Sequence, residues 1–250
     1  MESLKHLDLR GEASPNEVGA AVMRACRNAS LVVVRVDPGR GRHREFWDEA
    51  LATHAERAAV DEDARTGQAT GALWSDVSFD PERQYTFRHS SSAQPLHTDG
   101  SYISEPPPVV FMVCHEAAPE GGATLFVDGV KLIDTLSSEQ PELLHRLETV
   151  PVSFGKGGSE IEAPIVSRGE SLTLRWNYYA LSKNASPAAR ELGASFREYL
   201  SDPSRLDPVA IRLEPGEAVF FHDNEVLHGR SSFKAQLPGQ RFLWKGALWL

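Results

Sequence analysis

Only two of the 250 residues are cysteine, Cys26 and Cys114. That is too few for a disulfide framework or an all-thiolate zinc site, and it suits a reducing compartment. No apolar run approaches the roughly 18 residues a membrane span needs, and the opening MESLKHLDLR lacks the apolar core of a signal peptide. The expectation is a cytoplasmic protein with no membrane partner. Positive charge is also scarce: 26 Lys and Arg stand against 35 Asp and Glu, a net charge of −9. Binding nucleic acid exchanges counterions for Lys and Arg, and no basic stripe is present, so nucleic acid is disfavoured as a partner. Repeats, low-complexity tracts and a compositionally marked linker are absent too, and residues 1–250 read as a single domain. What remains is ordinary globular material, 41% hydrophobic and 24% charged, long enough to bury about 75% of its unfolded surface.

Punctuation signals divide the chain. Ser14, Pro15 and Glu17 make a capping-box start, and Val18, Ala21, Val22 and Ala25 recur at helical spacing up to Asn28. A β-branched run at residues 31–36, closed by Pro38-Gly39, predicts a buried strand. Residues 42–65 lean helical and residues 67–84 read as loop. Buried strands are expected at residues 109–114 and, after the turn at Gly121-Gly122, through Val127. Asp128 is a candidate N-cap for one helix, and Ser138 with Pro141 precedes Leu143, Leu144 and Leu147 in a second. Further strands are expected at residues 163–166, 172–177, 209–213, 218–221 and 241–250, with a helix starting at Ser186-Pro187 and running through Tyr199. Many strands with a few interspersed helices indicate an α+β fold around a jelly-roll double sheet, with residues 1–84 packing on that core.

Among the nine histidines, His97 begins a His97-Thr98-Asp99 triplet. Residues i and i+2 of an extended segment project to one side, so an imidazole nitrogen and a carboxylate oxygen there can meet one ion. Two histidines and one carboxylate on one face, with open positions opposite, suit iron(II) and dioxygen. The third ligand must come from elsewhere, and His222 and His228 are the candidates.

Tyr85-Thr86-Phe87-Arg88, Leu96 to Tyr102, Pro106-Pro107, Gly121-Gly122-Ala123-Thr124, Asp223-Asn224 and His228-Gly229-Arg230 follow one another in an order that resembles the iron(II)/2-oxoglutarate-dependent oxygenases, in particular the taurine dioxygenase and clavaminate synthase branch. The resemblance runs from about Tyr85 to Leu250 and implies a double-stranded β-helix core flanked by helices, in one oxygenase domain. It also implies a dioxygenase that uses Fe(II), O2 and 2-oxoglutarate as cosubstrate to oxidise an unactivated C–H bond, usually by hydroxylation. Position by position it makes His97, Asp99 and His228 the iron ligands, leaves His222 as a strand histidine, and gives Thr124 a hydroxyl contact to the cosubstrate. Retention of Asp99 argues for oxygenation, since halogenating relatives carry a small residue there.

The family's paired arginines, which meet the two carboxylates of 2-oxoglutarate, correspond here to Arg241 and Lys245. Lysine offers a compact point charge in place of a bidentate fork. Three readings follow, in this order: Lys245 with Thr124 holds the distal carboxylate, Arg241 takes that role, or 2-oxoglutarate is not used. Candidate substrate contacts are Arg175 and Asn177, in the strand after the glycine-rich residues 155–158, and Arg88 and Tyr102 near the His97 motif. An arginine beside aromatics suits an amino acid or small carboxylate substrate. Residues 154–162 are expected to form a mobile loop over it. The competing readings are an iron oxygenase of the same fold that does not use 2-oxoglutarate, and a non-catalytic β-sandwich binding protein. Oligomeric state is not legible.

Overall fold

In the computed structural model, which describes residues 4–11, 13–169, 171–202 and 205–250, the β-branched runs pair into two sheets that share a buried interior. The first part of the chain gives β1 (Lys5–Asp8), α1 (Pro15–Cys26), β2 (Leu31–Arg35), α2 (Pro38–Gly41), α3 (Arg44–Leu51), β3 (Glu56–Ala58), β4 (Ser75–Ser78), β5 (Gln94–His97), β6 (Val109–Glu116), β7 (Glu120–Gly121) and β8 (Thr124–Asp128). Next come α4 (Gly129–Glu139), α5 (Pro141–Thr149), β9 (Val152–Lys156), β10 (Ser159–Ala163), β11 (Val166–Arg168), β12 (Leu172–Leu174) and a 3-10 turn at Tyr178–Ala180. The chain ends with α6 (Pro187–Leu200), β13 (Val209–Ile211), β14 (Glu217–His222), β15 (Val226–Arg230), β16 (Phe233–Lys234) and β17 (Phe242–Trp249).

The larger sheet runs β1-β2-β14-β6-β17, and the far edge of β17 is shared by β3 and β4. The smaller sheet runs β13-β8-β15-β5. From β5 onward the chain passes repeatedly between the two sheets, which is the jelly-roll arrangement the sequence pattern predicts. No helix among the described residues is long and apolar enough to cross a membrane.

Period-two alternation sorts the large sheet's side chains into two layers. Val33, Val110, Met112, Val219, Phe221, Leu243 and Ala247 point inward to meet Phe126 and Val226 of the small sheet. Their neighbours Val32, Val34, Phe111, Val113, Phe220 and Leu248 point outward and are covered by Val22 and Met23 of α1 and by Phe46 and Trp47 of α3. A third cluster packs α4, α5 and α6 on the outer side of the small sheet around Leu136, Leu147, Phe154, Trp176 and Phe196. The capping box is formed, with Glu17 N–H donating to Ser14 Oγ at 3.3 Å and Ser14 N–H donating to Glu17 Oε2 at 2.8 Å.

Three expectations are corrected. The helix-leaning stretch at 42–65 forms only α3, because its apolar residues after Leu51 no longer recur at helical spacing and the chain instead adds β3 to the edge of β17. Within the expected loop at 67–84, β4 forms by pairing with β17, a long-range partner that no local alternation announces. The glycine-rich stretch expected as a mobile loop is the hairpin β9–β10, whose two-residue turn places Gly157 and Gly158 at φ 59° and 92°, the conformation glycine adopts without steric cost.

Phe220 is fully buried and stacks on Phe111 with centroids 5.0 Å apart, beside Trp47 at 5.8 Å. Phe220→Ala is expected to cost about 3–5 kcal/mol of unfolding free energy, read from the urea midpoint at unchanged m-value. A loss below about 1 kcal/mol would mean that this layer does not hold the large sheet to its helices.

Candidate metal centre and its cavity

Adjacent antiparallel strands of the small sheet, β5 and β15, place His97 directly opposite His228, with ring centroids 4.2 Å apart. The close approach depends on Gly229, where a Cβ would lie 2.8 Å from Gln94 O. Beyond β5, Thr98 is pinned to Trp176 by three hydrogen bonds, Thr98 N–H to Trp176 O at 2.6 Å, Trp176 N–H to Thr98 Oγ1 at 3.0 Å and a longer one from Thr98 Oγ1 to Trp176 O at 3.4 Å. That anchor turns Asp99 back toward the pair. His97 Nε2 is 3.7 Å from Asp99 Oδ1 and His228 Nε2 is 3.8 Å from Asp99 Oδ2. One donor atom from each of the three residues lies within 4.8 Å of the others.

The imidazoles are oriented by their far nitrogens. His97 Nδ1 sits 3.0 Å from Pro95 O, which can only accept, so Nδ1 carries the proton and Nε2 accepts from the Gln94 amide at 3.0 Å. His228 turns Nδ1 toward Asp223 Oδ1 at 3.2 Å. Burial, reinforced by the neighbouring His228, holds the His97 imidazole below its usual pKa and so favours the neutral, ligating form. For Asp99, burial alone would raise the carboxyl, but Lys245 Nζ at 2.9 Å, then His228 and His97, carry it well below the usual range. Lys245 shows the reciprocal balance, with burial opposing and Asp99 outweighing it, and its pKa is raised. Two buried imidazoles and one half-buried, ionised carboxylate on one side of a cavity fit a ferrous ion with open positions. Octahedral cis donors sit roughly 3 Å apart at bond lengths of about 2.1 Å, so each His–Asp separation of 3.7 and 3.8 Å needs to contract by under an ångström, and every donor pair already lies within 4.8 Å.

The cavity encloses about 1050 Å³ and is lined in part by all three of these residues, Thr124, Arg241 and Lys245. Arg241 is buried at 4% exposure, its one side-chain hydrogen bond among the described residues is a long one from Nε to Gly122 O at 3.4 Å, and no carboxylate among them pairs with it. Burial, then the nearby Arg230, push its guanidinium down to about 9. It also has φ 74°, alone among the described non-glycine residues in being positive, a conformation that costs an L-residue about 1–2 kcal/mol. Lys245, by contrast, is committed to Asp99. Lys245 is thus occupied by Asp99, whereas Arg241 lines the cavity with no carboxylate partner among the described residues.

The candidate substrate residues fare differently. Arg88 lines the cavity but is tied to Asp61 at 2.8 Å and to the carbonyls of Asp76 and Glu62. Tyr102 lines it too, donating to Glu62, which also receives Lys156 from the β9–β10 hairpin. Asn177 lines it while capping the 3-10 turn through Tyr179 N–H at 3.1 Å. Arg175 does not line it: its guanidinium donates to the carbonyls of Gly100, Ser101, Ile103 and Ser104, so the substrate-clamp reading is replaced by a role in holding the loop after Asp99. His222 stays outside the site, with Nε2 2.7 Å from Cys26 O.

Sequence reasoning missed three cavity residues. Gln94 touches His97, yet its spacing carries no ligand signature. Asp223 is quoted in a motif without a role, although a buried acid beside a ligand candidate is a usable signal. Arg197 lies over the Tyr178 ring at 4.2 Å and has no carboxylate partner among the described residues; its helical surroundings give no hint of this.

Residues 20–246 match the model of the taurine catabolism dioxygenase TauD, TfdA family. A trimethyllysine dioxygenase of Meyerozyma guilliermondii is 29% identical over 156 residues, 55% of this chain and 38% of that protein. The matched stretch spans little more than a third of the length of the trimethyllysine dioxygenases, 36% for the Rattus norvegicus protein. Among solved structures, a taurine dioxygenase from Burkholderia xenovorans has TM-score 0.65 at 15% identity, covering 100% of this chain and 90% of that one. The non-heme iron oxygenase OrfP in complex with Fe and alpha-ketoglutaric acid has TM-score 0.66 at 18% identity, covering 93% and 79%. At these identities the structures establish a shared fold.

Arg175→Ala leaves those carbonyls without their common donor. It is expected to lower stability by about 1–3 kcal/mol, measured by denaturant unfolding, with 2-oxoglutarate affinity within twofold of the parent. A large selective loss of that affinity at unchanged stability would return Arg175 to the binding site.

Proposed function

The chain belongs to the taurine catabolism dioxygenase TauD, TfdA family, and from that premise we propose that it is an iron(II)- and 2-oxoglutarate-dependent dioxygenase acting on a small carboxylate-bearing molecule. The expected outcome is hydroxylation of an unactivated C–H bond. One observation carries this reading: buried His97 and His228 and half-buried Asp99 share their cavity with a buried, carboxylate-free Arg241. A desolvated cation with a strained backbone is costly to stability, and such a conflict is expected where function requires it.

In this proposal His97, Asp99 and His228 hold the iron through Nε2, a carboxylate oxygen and Nε2. Bound iron, chelated by the 2-oxo acid, supplies activation of dioxygen coupled to loss of carbon dioxide from the cosubstrate. Lys245 keeps Asp99 ionised and occupies one of its two oxygens, leaving the other for the metal. Arg241 and the Thr124 hydroxyl take the distal carboxylate of 2-oxoglutarate, where a bidentate guanidinium fixes orientation as well as charge. The Glu62, Tyr102 and Lys156 contact ties the residue 59–72 loop to the β9–β10 hairpin over the cavity and limits water entry. An iron oxygenase that dispenses with 2-oxoglutarate would have no use for Arg241.

The relatives' names include quaternary ammonium substrates, and aromatic faces are what such cations require. Here the face of Tyr178 is already covered by Arg197. The unpaired guanidinium at that position favours an anionic group on the substrate, such as the carboxylate of an amino acid.

With iron(II) and 1-labelled 2-oxoglutarate the protein is expected to release labelled carbon dioxide in step with succinate, and Asp99→Ala to abolish it. Full turnover in that variant would remove Asp99 from the centre. Arg241→Met is expected to raise the half-saturating 2-oxoglutarate concentration tenfold or more, the loss of a charge-assisted pair of about 1.5–3 kcal/mol; an unchanged value would transfer the anchor elsewhere. In a succinate-coupled screen of carboxylates and amino acids, Arg197→Ala is expected to raise KM for the responding substrate with kcat nearly unchanged. A response confined to quaternary ammonium compounds would overturn the carboxylate assignment.

A further inference from the structure

The contacts behind the metal centre converge on one carboxylate. Asp223 lies in the short turn joining β14 to β15, is 4% exposed, and has its own N–H fixed on Pro108 O at 3.0 Å. Its Oδ2 accepts from the backbone N–H of Asp99 at 2.8 Å and of Gly100 at 3.4 Å. Its Oδ1 faces His228 Nδ1 at 3.2 Å without the alignment of a hydrogen bond, and neither of those two buried atoms has a hydrogen-bond partner among the described residues. One side chain thus touches the backbone of one proposed ligand and the ring of another, 124 residues apart for the first contact.

We infer that Asp223 is a positioning residue that sets the His228 tautomer and the Asp99 backbone together. The inference rests on the metal-binding reading above. A carboxylate has no proton to give, so the ring nitrogen facing it carries one, and the neutral imidazole then keeps its lone pair on Nε2, the atom aimed at Asp99. Any acceptor would satisfy the two backbone N–H groups. Only a group with acceptors at both ends serves them and the ring at once. Asparagine has the size of aspartate but an acceptor at one end and a donor at the other, so D223N must fail one of its two partners. If the amide faces Nδ1, the His228 proton is driven to Nε2 and the ligating lone pair is lost. If the oxygen faces Nδ1, two donors oppose each other at the Asp99 backbone.

Cobalt(II), whose visible bands report coordination without redox chemistry, is the probe for the full-length protein and for D223N. Long-range proton–nitrogen NMR of the metal-free protein reads the histidine tautomers. The expected results are an Nδ1–H tautomer for His228 in the parent, and cobalt binding weakened 10- to 100-fold in D223N. His97, whose Nδ1 is held by Pro95 O, keeps its tautomer in both proteins; a general collapse of the site would disturb both rings. An Nε2–H tautomer for His228 in the parent overturns the inference without need of a variant, and so covers the case in which D223N does not fold. Cobalt affinity within twofold of the parent in a folded D223N also overturns it, leaving the metal-binding reading intact. A parent that binds no cobalt overturns both.

Discussion

The register of β15 against β5 is the constraint on which the site depends. With His228 opposite His97, both rings fall on the same face of the small sheet, toward the cavity. A slip of one residue would send one of them to the opposite face, because side chains alternate along a strand. The register is held by β8 on the other side of β15, where His228 pairs with Phe126, and by the missing Cβ of Gly229, which lets the strands close. Asp223 lies in the turn that leads into the same strand, so the turn that delivers His228 also delivers the group proposed to orient it.

Charge in the cavity is sorted by whether it is matched. Arg88 with Asp61, Lys156 with Glu62 and Lys245 with Asp99 are paired, and Arg230 spends its guanidinium on the carbonyls of Phe87, Ser90 and Ser92. These contacts fix loops around the cavity, and removing one partner would leave the other buried and alone. Arg241 and Arg197 stand apart from this pattern. The first is deeply buried, its guanidinium over the Phe233 ring but without a carboxylate to offset its lost hydration, and the second is exposed. Their depths suit a cosubstrate carboxylate held beneath a substrate.

The large sheet, its two faces filled by separate apolar layers, is the rigid part of this arrangement. Metal-site residues sit on or next to strands of the small sheet, and the cavity is closed over by loops and a hairpin joined through a few polar contacts.

Local chemistry made much of this legible in the sequence. The capping box at Ser14, the β-branched runs of β2 and β6, and the His97-Thr98-Asp99 triplet act through neighbours in the chain, so their meaning survives without a structure. The short strands β3 and β4 were not legible, since only their pairing with β17 makes them strands. Nor were the fates of the cations: an arginine's sequence context does not reveal whether its guanidinium meets carbonyls, as Arg175 does, or faces a cavity unpaired, as Arg241 does. The sequence by itself determined the jelly-roll class and, through a family resemblance, the residues proposed as ligands. Tertiary structure alone decided that Lys245 belongs to Asp99, a pair 146 residues apart that strand pairing brings together, and that Asp223 stands behind His228, because that contact depends on how the turn before β15 folds back.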